Sequence, residues 1–191
     1  MGRPSNRQER RRQILGAFAR VLADHGYAGA TITSVAAEAD VAPGLLHHHF
    51  QDKGEMLTSL LEELVSRFRS RVRDYETADD ALTSYIDGAL KLDERSDLTA
   101  ARCWVGVFAE AVRNPVLFAR MRRLIDAELA AIRARSGGKL SESDAGSVLA
   151  FVIGSLVLGA FAPRKTAGFA APGLKRLVAA LIMRPSESRG G

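Results

Sequence analysis

Three consecutive histidines, His47-His48-His49, and a single cysteine, Cys103, are the residues whose types suggest reactive chemistry. Successive residues on a helix point ~100° apart, so three in a row do not converge on one ion as an i, i+4 pair does. No metal site and no cofactor is expected. A nucleophilic Cys103 would need a base, yet no histidine lies beyond residue 49, and a buried or pocket-lining thiol is the expectation. One cysteine also excludes an internal disulfide and a multi-cysteine zinc ribbon. With no catalytic constellation, the chain does not read as an enzyme, and the chemistry to look for is binding.

Charge gives the first pointer. Of 191 residues, Lys and Arg number 27 against 22 Asp and Glu, a net +5. The first twenty residues account for the whole excess, with Arg3, Arg7, Arg10, Arg11, Arg12 and Arg20 against Glu9 alone. A basic arm and first helix suit an anionic partner. No apolar stretch with a cleavage site follows the arm, so a cytoplasmic location is expected. Hydrophobic residues at 47% and charged residues at 26% have the balance of a soluble globular protein. One run, 145–163, is uncharged for 19 residues and reaches the length of a membrane span. It contains Gly146, Gly154, Gly159, Ser147 and Ser155, lacks Trp or Tyr at its ends, and no second span accompanies it. A helix enclosed by its own domain and a partner subunit is the preferred reading, without a membrane.

Apolar residues recur at helical period almost throughout, which predicts an all-α chain. Asn6 with Glu9 suggests a cap for a first helix that buries Ile14, Leu15, Phe18, Val21 and Leu22 and stops at Gly26. Thr31 caps a short helix to Ala39; Asp40-Val41-Ala42 turns a corner; Pro43 opens a second short helix to residue 49. Asp52 with Glu55 is the next capping box, ahead of a long helix through Leu57, Leu60, Leu61, Leu64, Phe68 and Val72. Further helices are predicted at 78–92, 98–113, 115–136, 143–162 and 172–183, separated by Asn114-Pro115, Ser136-Gly137-Gly138 and the stretch Pro163 to Pro172.

Two short helices joined by three residues and braced by a third make a helix-turn-helix. Gly26-Tyr27, Thr31, Thr33, Val35-Ala36, Ala39, Val41, Pro43-Gly44, Leu46, His49-Phe50, Lys53 and Leu57, in register across residues 7–57, resemble the TetR family of bacterial transcriptional regulators. Trp104, Phe108, Glu110-Ala111 and Asn114-Pro115 resemble its BetI-like branch. The resemblance implies an N-terminal DNA-binding domain over 1–53 and a helical ligand-binding and dimerisation domain over 54–191. It also implies a homodimer that reads a palindromic operator on double-stranded DNA, usually as a repressor, and is released by a small-molecule effector. On the head, Thr31 and Thr33 offer hydroxyls to phosphate, with Arg3 and Arg7 in the arm. Ala42, Pro43, Gly44 and Leu45 form the start of the recognition helix, and Leu45 suits a thymine methyl. Lys53 matches the family's phosphate-contacting lysine, His47 stands where the family has a phosphate-binding tyrosine, and His48 follows it. Asp40 replaces the turn glycine and tolerates left-handed backbone. Ala42 lacks the usual capping hydroxyl, and His47 would make affinity pH-sensitive. Without Arg, Asn or Gln in 42–50, bidentate purine reading is not expected from this helix.

In the body, the resemblance implies a pocket. Phe68, Tyr85, Cys103, Trp104, Phe108 and Phe151 are the expected lining, with Glu110, Arg113 or Asp126 answering a charged ligand. Arg67, Arg69, Arg71 and Arg73 alternate and are expected to be mostly solvated. The expected dimer interface is Phe151, Gly154 and Leu158 with Leu174, Leu177, Val178 and Leu181, whose stripes a single copy would expose.

Overall fold

A computed structural model describes residues 6–77, 80–90 and 97–183. Among them there are nine helices and no strand: α1 (Asn6–Gly29), α2 (Ile32–Glu38), α3 (Pro43–His47), α4 (Lys53–Tyr75), α5 (Ala81–Leu90), α6 (Asp97–Ala111), α7 (Pro115–Arg135), α8 (Glu142–Phe161) and α9 (Pro163–Met183). They form two compact units, Met1–Arg67 with Arg95–Phe118, and Phe68–Glu94 with Ala119–Gly191.

In the first unit α1 buries Ile14, Leu15, Ala17, Phe18, Val21 and Leu22, as its apolar spacing requires, and packs on α2 and α6. Gly26 leaves helical geometry (φ 69°) where the sequence predicts a stop, and the helix resumes to Gly29. Thr31 caps α2, its Oγ1 accepting from the Ser34 N–H at 3.0 Å. The end of α2 explains why Asp40 substitutes for glycine. Its φ is 53°, and the Val41 N–H reaches Ala36 O at 3.0 Å while the Asp40 N–H reaches Ala37 O at 3.2 Å. This is the paired bond pattern that closes a helix through one left-handed residue. Ala42, at the start of α3, gives no side-chain cap, in line with its missing hydroxyl. At α4, Asp52 accepts from the Glu55 N–H at 2.8 Å, but the Glu55 carboxylate returns to the Gln51 N–H at 2.7 Å.

The second unit holds α5, α8, α9 and parts of α4 and α7. Two of its helices approach closely at Gly88, where a Cβ would lie 2.6 Å from the Val72 Cα. Arg71 donates its Nε–H to the carbonyl of that glycine at 2.6 Å. A reciprocal Ser141–Asp144 box caps α8, a signal the sequence reading passed over. The largest departure from expectation is α9. It starts at Pro163, directly after the Ala162 cap of α8, and runs through Pro172 without interruption. Pro172 is solvent-exposed, and because it has no N–H the Gly168 carbonyl loses its usual i→i−4 bond on this open side of the helix. With α9 whole, two helices rather than one, α8 and α9, have the length and hydropathy of a membrane span.

Candidate recognition surface and cavity

The helix-turn-helix is anchored from beneath. Val35, Ala36, Ala39, Leu46 and Phe50 are buried, while Thr31, Thr33, Ala42, Pro43, Gly44, His47 and His48 are exposed and Leu45 is half-buried. Nothing lies within 4 Å of a Cβ built on Gly44, so that edge of α3 is open to a partner. Arg7 is exposed at the start of α1; Arg3 lies outside the described residues. Two of the basic residues are committed internally. The Arg11 guanidinium donates to the His49 carbonyl, to Glu55 at 2.9 Å and to Ser59 at 3.0 Å, and lies 3.9 Å over the Phe50 ring. Arg20 is paired with Glu38.

Lys53 is half-buried, and its Nζ donates to the Tyr27 carbonyl at 2.8 Å, 4.1 Å from the Tyr27 ring centroid. An ammonium has three donors, so this bond positions the group without exhausting it. The Nδ1 of His49 is buried without a hydrogen-bond partner. Desolvation, then the charges of Arg7, Arg11, His48 and Arg10, holds this imidazole below its ordinary 6.5. The Glu55 carboxyl is lowered by the Gln51 backbone N–H and by Arg11.

In the second unit a cavity of about 320 Å³ opens between three helices. Its α4 wall is Phe68, Arg69, Val72, Arg73 and Glu76, its α5 wall Tyr85, and its α7 wall Ala127, Glu128, Ala131 and Arg135. Residues 69, 72, 73 and 76 recur at i, i+3, i+4 and i+7, which places them on one helix face. Phe68 and Tyr85 meet edge to face with centroids 6.2 Å apart, and Arg135 lies 5.6 Å from the Tyr85 centroid. Glu76 accepts from Arg135 at 3.1 Å, and Glu128 faces Arg69 at 3.6 Å. Glu128 is only 8% exposed, and burial raises its carboxyl pKa against the opposing pull of Arg69 and Arg135. Tyr85 is 1% exposed, yet its hydroxyl has no hydrogen-bond partner, and neither has the buried Nε of Arg135. Burial pushes the Tyr85 phenol pKa upward.

Of the six expected lining residues, Phe68 and Tyr85 are brought together and the other four are elsewhere. Cys103, Trp104 and Phe108 belong to the first unit. The Cys103 thiol donates to the Ala19 carbonyl at 3.2 Å, and burial lifts its pKa to about 12. Trp104, buried, stacks on half-buried Phe108 with centroids 5.6 Å apart. Phe151, on α8, packs toward α9, where a Cβ at Gly173 would be 3.5 Å from its ring. Arg67, Arg69 and Arg73 are exposed, as expected for most of the alternating arginines, and Arg69 and Arg73 also line the cavity. The charged groups there are Arg69, Arg73, Glu76, Glu128 and Arg135, not Glu110, Arg113 or Asp126.

The expected interface stripe on α9 also divides. Leu174 and Val178 are buried within the protomer, Leu181 is half-buried, and Leu177 is exposed. On α8, Ser155 and Gly159 turn inward, while Ser147, Ala150, Gly154, Leu158 and Phe161 form an exposed row at spacings of three and four. Helix faces explain the split: 166, 170, 174 and 178 recur every fourth residue and cannot share a side with 177.

Residues 14–60 match the family model described as bacterial regulatory proteins, tetR family. The regulator BetI of Escherichia coli O17:K52:H18 (strain UMN026 / ExPEC) is 28% identical over 57% of this chain and 58% of its own length, so the match spans less than two thirds of that relative. The crystal structure of a transcriptional regulator from Rhodococcus sp. Rha1 superposes with a TM-score of 0.75 at 26% identity, over 90% of this chain and 93% of that one. The head, residues 14–60, is similar to the DNA-binding region of the TetR family of bacterial regulators. The relatives it resembles are transcriptional regulators, and the matched segment holds the helix-turn-helix described above. A regulator from Saccharomonospora viridis, solved in complex with choline, shares the fold at 21% identity and a TM-score of 0.71, over 90% and 96% of the two chains.

Sequence reasoning missed Arg11, Gly88 and the charged cavity wall. Arg11 was counted with the basic excess, although its i+3/i+4 relation to the core residues Ile14 and Leu15 turns it toward the head's interior. Gly88, inside a helical run, was the available signal for a close approach.

Proposed function

We propose that the protein is a repressor that binds a palindromic operator as a homodimer and is released when a small molecule enters the cavity between α4, α5 and α7. In this reading 1–53 serve as the DNA-binding domain and 54–191 as the ligand and dimerisation domain, in the cytoplasm. The observation that carries it is the pairing of an open recognition edge with a cavity whose buried polar atoms lack partners. Thr31, Thr33, Arg7, His47, His48 and Lys53 supply donors to phosphate, and Ala42 to Leu45 approach the bases. Arg3 belongs to the same set through the family resemblance. The dimer reading is supported by the exposed row on α8, with Phe161 78% and Leu158 51% exposed, continued by Phe169 and Leu177 on α9. A free monomer rarely leaves such a patch uncovered.

Selection of binding sequences from a random double-stranded library, followed by affinity against salt, tests the DNA half. A palindrome with half-sites about one helical turn or slightly more apart and a steep salt slope is expected. No enrichment at low salt overturns it. Gly154→Arg tests the dimer by light scattering: no neighbour lies within 4 Å of a Cβ there, so the protomer keeps its fold and dissociates. A dimer of unchanged mass would move the interface elsewhere, and partition into membranes would favour the spanning reading of α8 and α9.

A further inference from the structure

We propose that the cavity binds a small organic anion, a carboxylate carried on a flat apolar body; this rests on reading the cavity as the effector site. The first argument is the inventory of charge. Three guanidinium groups, Arg69, Arg73 and Arg135, line the cavity against two carboxylates, Glu76 and Glu128. Glu76 is engaged by Arg135, and Glu128 faces Arg69, while among the described residues Arg73 has no acidic partner. A cationic ligand would enter a site whose carboxylates already face cations. An anion meets an uncompensated positive charge.

The second argument is the chemistry of the orphaned atoms. Tyr85 Oη and Arg135 Nε are buried without partners, and both carry a hydrogen to donate. Buried polar groups in native proteins are nearly always paired, so exceptions in a cavity mark where a ligand supplies the missing atom. Here the missing atoms are acceptors, and a carboxylate offers two oxygens with lone pairs to spare.

Shape supplies the rest. Phe68 and Tyr85 present an aromatic corner, and Val72, Ala127 and Ala131 leave smooth apolar wall. The volume lies at the small end of the usual ~300–1,000 Å³ for ligand pockets, which favours a compact acid over a large drug-like molecule.

Calorimetric titration of the full chain with benzoate, phenylacetate and hexanoate, each beside its uncharged amide, and with choline tests the class. At least one acid binds, its amide about tenfold or more weaker, and choline binds less well than either. Tyr85→Phe keeps the ring and removes only the orphaned hydroxyl. It weakens the acid severalfold and raises the ligand-free melting temperature, a combination that a purely structural hydroxyl would not give. Arg73→Gln, an exposed change, weakens the acid without moving the melting temperature. Preference for choline, equal binding of acid and amide, or no acid binding overturns the anion inference. The same ligands added to the protein–operator complex then separate the two readings. An acid that binds without releasing DNA sinks the effector reading and leaves the anion site standing; release by choline alone does the reverse.

Discussion

The head and the cavity unit hold their polar groups in opposite ways. On the head, Thr31, Thr33, His47 and His48 are exposed, and buried Leu46 and Phe50 fix them from below. In the cavity, Tyr85 and Glu128 are buried, and two donors are left unpaired. Hydrated donors suit a polyanion that arrives with its own water and counterions, whose release supplies much of the affinity. Dry, unpaired donors suit a small ligand that must replace the missing bonds one for one. The contrast implies that changes on the head alter DNA binding with little effect on folding, whereas changes in the cavity unit alter folding and ligand together.

The largest effect expected from that contrast is at Gly88→Val. Its Cβ meets the Val72 backbone at 2.6 Å, and backbone cannot rotate away as a side chain can. Overpacking of this kind costs about 1–3 kcal/mol or more and should lower the melting temperature by several degrees. A variant as stable as the parent would remove the close approach of α4 and α5 from the argument. Gly44→Glu is the converse: open space around α3 leaves stability unchanged, while a carboxylate facing phosphate weakens every DNA sequence by about tenfold or more. Thr31→Ala sharpens the boundary, because this residue both caps α2 and faces outward. Loss of the Ser34 bond should cost about 1 kcal/mol of stability, so DNA affinity measured alongside separates the two roles.

The smallest effect is on pH. His49 has its folded pKa depressed, so below its ordinary 6.5 the unfolded chain takes up more protons than the folded one. Stability is therefore complete above that pH and declines on acidification. Glu55, also depressed, adds a second decline as pH falls through its ordinary 4.5 toward its lower folded value. A melting-temperature profile from pH 8 to 4 should fall in both ranges, and Glu55→Gln should flatten the lower one.

What was legible in the sequence follows the same divide. The head is built from local signals: Thr31 three residues before Ser34, Pro43 opening a helix, Asp40 in a left-handed turn, and apolar residues at helical spacing. Each acts within a few residues, so reading the sequence locates it. The cavity is assembled from 68–76, 85 and 127–135, and no local signal ties α4 to α7. Residue type misled there: Trp104 and Phe108 look like ligand-stacking residues but stack on each other, while plain arginines at 69 and 73 share a face with the cavity. Pro172 misled because a proline marks only a probable helix boundary, and the buried face of Thr166, Ala170, Leu174 and Val178 carries α9 across it.

The buried thiol has a practical consequence. Cys103 is the chain's single cysteine, 1% exposed, with its proton held to about pH 12. Burial therefore disfavours the reactive thiolate at neutral pH and also shields it. A cysteine introduced on an open surface, such as at Ala42 or Gly44, would take a maleimide dye or nitroxide spin label against a nearly silent background. The distance between two recognition helices in a dimer, with and without ligand, then becomes a spectroscopic observable on an otherwise native chain.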